Sequence, residues 1–210
     1  MRDRKWLRWN FFSAHSGYAY LGSACFMSIA EAANCTIIHK PMDLRRVVAV
    51  TGPGPTNGMT PGRRAYFSGR EIARWAEMRD APVMDGIPSF HDNDIALSNC
   101  MLIAGILQGL NIDLLAHHLL QAHWRDDADL ADASTLHRLG EEEGYVPESL
   151  LEAATTEEVR SVYEQNTQEA IERSVFGSPT YFVDGDMSYG QDHLEMVARA
   201  IVQPFKGNWP

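Results

Sequence analysis

Gly177-Ser178-Pro179, followed by two short β-prone runs and a helix start, is the stretch that most narrows what this chain can fold into. Thr180 to Val183 reads as a strand, Asp184-Gly185-Asp186 as a turn, and Met187 to Tyr189 as the returning strand. Asp-Gly between two such runs is a strong short-range hairpin signal. Pro179 at a strand's first residue gives up no ladder bond there, and Ser178-Pro179 is a bond where a cis peptide is affordable. Gly190 with Asp192 two residues on, ahead of Leu194, Val197, Ala198 and Ile201, predicts a helix N-terminus.

At the other end, Trp6 to Phe12 predicts a first strand, Ser13 to Gly17 a turn, and Tyr18 to Ala33 a helix with Leu21, Cys25, Ile29 and Ala32 on one stripe. Asn34 suits the end of that helix, and Thr36 to Pro41 predicts a second strand. Strand, helix, strand in this order implies a right-handed crossover and parallel pairing. Leu44 to Val50 can begin a helix, but Thr51 to Gly62, with four glycines and three prolines, cannot continue it. A long ordered loop or a lid is expected there, and loops of that length inside a compact domain are usually functional. Arg63 to Arg173 reads as almost entirely helical: Gly69 to Met78, Asn93 to Leu107, Asn111 through His123, Asp132 to Gly144, a short helix from Pro147, and a long one from Thr156.

The order is therefore βαβ, a helical block, then ββα, which makes an α/β protein. It resembles a thioredoxin-like fold with a large all-helical insertion. More narrowly, it resembles the kappa-class glutathione transferases and their bacterial relatives, the 2-hydroxychromene-2-carboxylate isomerases, which share the DsbA-like architecture. The resemblance runs over nearly the full length. It rests on the Gly-Ser-Pro hairpin and on Ser16-Gly17-Tyr18-Ala19-Tyr20-Leu21 after the first strand. The family pattern there is Ser-Pro-Tyr-Ser or Ser-Pro-Phe-Ser, then an aromatic and Leu; here Gly17 replaces the proline and Ala19 the second serine. The expected division is a discontinuous thioredoxin-like domain, 1–62 and 171–210, interrupted by a helical insertion at 63–170.

Taken alone, Ser16 is a good N-cap for the helix that follows. The resemblance gives it a second task, donating to the sulfur of bound glutathione. A free thiol has a pKa of ~8.5, and lowering it by about two units requires ~2.7 kcal/mol. A hydrogen bond to a charged group supplies ~1.5–3 kcal/mol, and a helix N-terminus up to ~2. The two suffice without a basic side chain. The resemblance further implies glutathione contacts from Gly17, Tyr18, Asn57, Ser178, Pro179, Gln191 and Asp192. Ser178 would turn its backbone to the extended peptide. Gln191 and Asp192 would offer helix-start amides to a carboxylate and a side-chain acid to an ammonium, although Asp192 can equally be a cap. The run from Asn57 to Tyr66 resembles the isomerases' loop, which implies Asn57 as an active-site amide and Arg63 as the cation for a substrate carboxylate or for glutathione's glycine end. Arg46 is a second candidate for the substrate, with Arg45 and Arg64 also competing. His15 could tune the charge beside Ser16, but a solvent-facing turn residue is the simpler reading. Trp75 and Trp124 read as core.

In disulfide oxidoreductases of this fold, Cys-x-x-Cys stands where this chain has Ser16 and Ala19, so thiol–disulfide exchange at that place is excluded. Cys25, Cys35 and Cys100 are odd in number and far apart, which suits a reducing compartment and small buried apolar roles. His117, His118 and His123 lack zinc-site spacing, and no metal is expected. A net charge of −10 argues against nucleic acid. No run is long and apolar enough for a membrane span. The basic start lacks a clean apolar core for a signal peptide, being broken by Asn10, Ser13, His15 and Ser16, so a cytoplasmic protein is expected. The resemblance implies a glutathione-dependent isomerase converting a hydroxychromene carboxylate to a benzylidene pyruvate. A transferase conjugating an electrophile is the near alternative, and a redox-inactive module gripping an extended peptide the distant one. Glutathione and a small aromatic carboxylate are the expected partners. Kappa-class relatives commonly form dimers, so a homodimer is within expectation.

Overall fold

The structure, a computed structural model, describes residues 6–52 and 60–207. Its sheet has the order β2-β1-β3-β4, with β1 (Trp6–Phe12) parallel to β2 (Thr36–Pro41) and antiparallel to β3 (Thr180–Val183). β4 (Asp186–Tyr189) returns antiparallel to β3. Asp184 and Gly185 both have positive φ, 50° and 90°, as the two-residue turn matched to strand twist demands. The crossover helix α1 (Gly17–Ala32) leads from β1 to β2.

Alternation along the strands divides the sheet between two layers. Phe11 and Phe182 face Met42, Val47 and Ala170, the layer of α2 (Leu44–Thr51) and α9 (Glu157–Glu172). Tyr181 and Val183 instead face Phe26 and Ala30 of α1 and Leu194, Val197 and Ile201 of α10 (Leu194–Val202). Phe12 lies with Ala14, Tyr20 and Leu21 in a third and larger cluster. That cluster continues without a break into Met101, Leu102 and Ile103 of α5 (Ala96–Leu107) and Leu115 and Leu119 of α6 (Asp113–Asp126). Every residue of α5 from Ser98 to Gly105 is buried, as expected of a helix apolar nearly all round at the centre of a helical block.

The remaining helices are α3 (Pro61–Ala65), α4 (Glu71–Arg79), α7 (Ala133–Glu142) and α8 (Pro147–Ala154). Side chains cap five starts: Ser16 on α1, Asp43 on α2, Thr60 on α3, Asp132 on α7 and Thr156 on α9. The helix expected over Gly69–Met78 is α4, preceded without a break by a π-helical turn, Tyr66–Arg70. One expectation needs correcting. On α1 the buried set includes Ala19, Tyr20, Gly22, Phe26 and Ala30, while Ala32 is exposed. Helices α4 and α6 cover one side of α1, and the sheet and α10 the other, so its first turns are buried nearly all round and no single stripe describes them. Among the described residues, no helix is long and apolar enough to cross a membrane.

Candidate active site

β1 delivers the chain to a buried turn, Ser13 to Ser16, at the N-terminus of α1. One residue from a distant helix fixes that turn. Asn99 of α5 accepts from the Ala14 amide at 3.0 Å and donates to Ser13 Oγ at 3.0 Å and to the Ile95 carbonyl at 2.7 Å. Every polar group of this amide is engaged, so the turn has little freedom. Ser16 then caps α1, its Oγ accepting from the Ala19 amide at 3.3 Å. The same hydroxyl donates to the Ser178 carbonyl at 3.1 Å, and Ser178 Oγ accepts from the Ser13 amide at 3.3 Å. The helix start and the segment before the cis Ser178-Pro179 bond are thereby tied together. Ser178, expected to turn its backbone to a bound peptide, has its carbonyl already engaged by Ser16.

These residues open on a cavity of about 560 Å³. Ser16, Gly17, Tyr18, Ser178 and Arg63 line it, together with an apolar and aromatic set that includes Leu44, Val48, Phe67, Ile72, Phe176, Tyr189 and Trp124. Its size and lining suit a small molecule with a flat ring. Gly17 belongs here for a steric reason. A Cβ at this position would stand 2.7 Å from the Trp124 indole. That ring also donates Nε1–H to the His15 carbonyl at 2.8 Å. Trp124, read from sequence as core, is buried but also forms a wall of the site. The Tyr18 hydroxyl donates to the Phe67 carbonyl at 2.8 Å, and burial pushes its pKa up, so it remains a neutral phenol.

Three histidines adjoin one another at the same wall, and two of them, His15 and His91, line the cavity. His15 is 6% exposed, which corrects the solvent-facing reading: the Asn99-pinned turn buries it. Its Nδ1 lies 2.9 Å from Ser13 Oγ and its ring 5.1 Å from that of His91. His91 Nδ1 lies 3.1 Å from His123 Nε2, and His123 Nδ1 lies 2.9 Å from the Ala128 carbonyl. A carbonyl only accepts, so His123 carries its hydrogen on Nδ1 and His91 donates from Nδ1. Burial drives all three below the usual imidazole range: His15 well below it, His91 to about 4, and His123 downward as well. Neighbouring histidines and the Arg45 guanidinium, whose Nη2 donates to the His91 carbonyl at 2.6 Å, reinforce the first two shifts. The imidazoles are neutral at pH 7.

The other expected residues divide. Arg63 lines the cavity, its guanidinium 5.6 Å from the centre of the Phe67 ring. Arg46 does not; both oxygens of Glu164 hold its Nη1, at 2.5 and 2.6 Å, on an exposed face. Asn57 lies outside the described residues. Gln191 is buried away from the cavity, its Oε1 accepting from Arg79 Nε and its carbonyl from Arg79 Nη2, each at 3.0 Å. Its side-chain oxygen is thus committed to α4, while its Nε2 is buried with no partner among the described residues. Asp192 is half exposed at the rim, near enough to Tyr18 and Tyr189 to help raise both phenols. Pro179 does not line this cavity; it lines a second, small one together with Asn10, Ala19 and Tyr181.

Sequence reasoning missed Asn99 and His91, weighed His123 only as a metal ligand, and preferred a solvent-facing turn residue for His15 and core for Trp124. Asn99 sits mid-helix among apolar residues, where an amide is out of place. That was the one signal present.

The 2-hydroxychromene-2-carboxylate isomerase of Pseudomonas putida is 27% identical to this chain over 198 residues, which cover 91% of this chain and 92% of the relative. The isomerase of the same name from Pseudomonas sp. (strain C18) is 26% identical over 196 residues, covering 91% and 88%. The solved selenomethionine structure of a 2-hydroxychromene-2-carboxylate isomerase superposes with a TM-score of 0.78 at 24% identity, over 93% of this chain and 94% of that one, a likeness of fold. Residues 9–202 match the DSBA-like thioredoxin domain, and the chain belongs to that family.

Proposed function

We propose that this protein is a glutathione-dependent cis–trans isomerase whose substrate is a hydroxychromene carboxylate or a close aromatic analogue. The observation that carries the reading is Ser16: a hydroxyl at the start of α1, lining a ring-sized cavity, at a position where a redox member of the fold needs a cysteine. Relatives named as isomerases along about nine-tenths of the chain support the reaction class.

The residues present fit glutathione at one end of the cavity. Ser16 Oγ already accepts from the helix amide, and rotation about its Cβ–Oγ bond redirects its hydrogen from the Ser178 carbonyl to an incoming sulfur. The helix N-terminus adds its dipole in the same direction. Asp192 at the rim offers a carboxylate to the γ-glutamyl ammonium. When bound, glutathione supplies a thiolate able to add reversibly to a conjugated double bond, which frees that bond to rotate. Phe67, Phe176, Trp124 and Tyr189 exclude water around the ring, and Arg63 meets the substrate carboxylate.

Absorbance-monitored conversion of 2-hydroxychromene-2-carboxylate, with and without glutathione, tests the reading. Wild type is expected to require glutathione, and Ser16→Ala to lose at least a hundredfold in kcat. Turnover at full rate without glutathione would exclude it as the catalyst. Accumulation of a released conjugate would move the assignment to a transferase.

A further inference from the structure

The histidines at the cavity wall have no part in activating a thiol, yet one of them is built to take a proton. His91 lines the cavity, and its Nδ1 is committed to His123. His123 is in turn fixed by the Ala128 carbonyl, so the tautomer of the pair is determined and His91 is left with an unprotonated Nε2. No described residue pairs with that nitrogen, and it is absent from the buried atoms that lack partners, so it is accessible. The ring is clamped as well: His15 packs on it at 5.1 Å, Trp124 meets it edge-on at 5.3 Å, and its backbone holds Pro88 and Arg45. A fixed lone pair at the wall of a ring-sized cavity is the arrangement of a general base.

We infer that His91 Nε2 opens the substrate's ring by moving the hemiketal proton. This rests on the proposed substrate, a ring that must open before its double bond can change geometry. The imidazole takes the proton from the hydroxyl on the carboxylate-bearing carbon. The oxygen's electron pair forms the ketone, the bond from that carbon to the ring oxygen breaks, and the pair stays on the ring oxygen as a phenolate. The imidazolium then returns the proton to the phenolate, so atoms and charge balance and no further reactant is consumed. The ketone so formed conjugates the double bond and makes it a target for a thiolate. His123 is a positioning residue, holding the proton on Nδ1 of His91. Burial keeps His91 neutral at working pH, and the low pKa makes its conjugate acid a ready donor to the phenolate. A bound carboxylate raises that pKa toward the useful range.

Ring opening and reclosure without glutathione scrambles the stereochemistry of the hemiketal carbon, which gives a readout independent of the isomerase assay. The test follows loss of circular dichroism of a resolved hydroxychromene carboxylate, mixed with glutathione-free protein. Wild type is expected to accelerate racemisation above the buffer rate. His91→Ala and His91→Gln are expected to lose that acceleration by about 10²–10⁴-fold, the worth of a positioned acid–base group, with partial recovery for His91→Ala in added imidazole. Both variants should bind glutathione as wild type does. Racemisation at the wild-type rate in both variants, or none in wild type, would overturn the inference. Failure of glutathione to bind wild type would instead overturn the proposed cofactor and leave the racemisation result standing.

Discussion

At the residue scale, Gly17 and Trp124 form one unit. The resemblance places a proline at position 17 in relatives, and here the indole fills the space that any Cβ would need, 2.7 Å from its ring. Gly17→Ala must therefore displace a buried tryptophan that also holds the His15 carbonyl. Overpacking of this kind costs about 1–3 kcal/mol. A urea titration should show that loss together with a shifted Trp124 emission, and an unchanged midpoint would mean the wall yields freely. The histidines give a second prediction. Their folded pKa values lie below the unfolded value of ~6.5, so the unfolded chain binds more protons as the pH falls. Stability is complete above about pH 6.5 and is lost as the pH falls toward 4, the folded value of His91. His91 alone accounts for on the order of 2–3 kcal/mol over that window. Unfolding midpoints measured from pH 7.5 to 4.5 should fall for wild type, with a shallower slope in His91→Gln.

At the element scale, Arg79 joins α4 to the 3-10 turn Gln191–His193 and so to α10, with Trp75 5.3 Å beneath its guanidinium. Arg79→Ala leaves two buried acceptors of Gln191 without a donor. Hydrogen bonds to a charged group contribute ~1.5–3 kcal/mol, and a destabilisation of that order is expected by urea unfolding. Arg79→Lys should recover only part, because an ammonium cannot reach both acceptors as a planar fork does. The strands and most helices were legible from the chain, since alternation, Asp184-Gly185 and the caps at Asp132 and Thr156 act locally. The cradle of Ser16 was legible for the same reason, as a hydroxyl at a helix start. What was not legible depends on segments that meet only in three dimensions. Asn99 reaches Ala14 across 85 positions, and His91 meets His123 across 32. The Arg46–Glu164 pair, which removes Arg46 from the site, spans 118. No period or spacing encodes such meetings.

At the scale of the whole molecule, the proposed substrate is an anion, and the chain that would admit it has a net charge of −10. Arg63 on the cavity and Arg45 behind His91 set the local field against that total. The continuous core from Phe12 and Leu21 into α5 and α6 matters for the same site, because it holds Asn99 and Trp124 against the turn that carries Ser16. The central claim is that this frame turns a serine into a thiolate-stabilising group. Its most direct test is calorimetric titration with glutathione, paired with ultraviolet titration of the bound thiol, on wild type and Ser16→Ala. The account predicts binding by wild type with the thiol pKa lowered by about two units from ~8.5, and loss of that shift in the variant. No binding at millimolar glutathione, or an equal shift in both proteins, would contradict it.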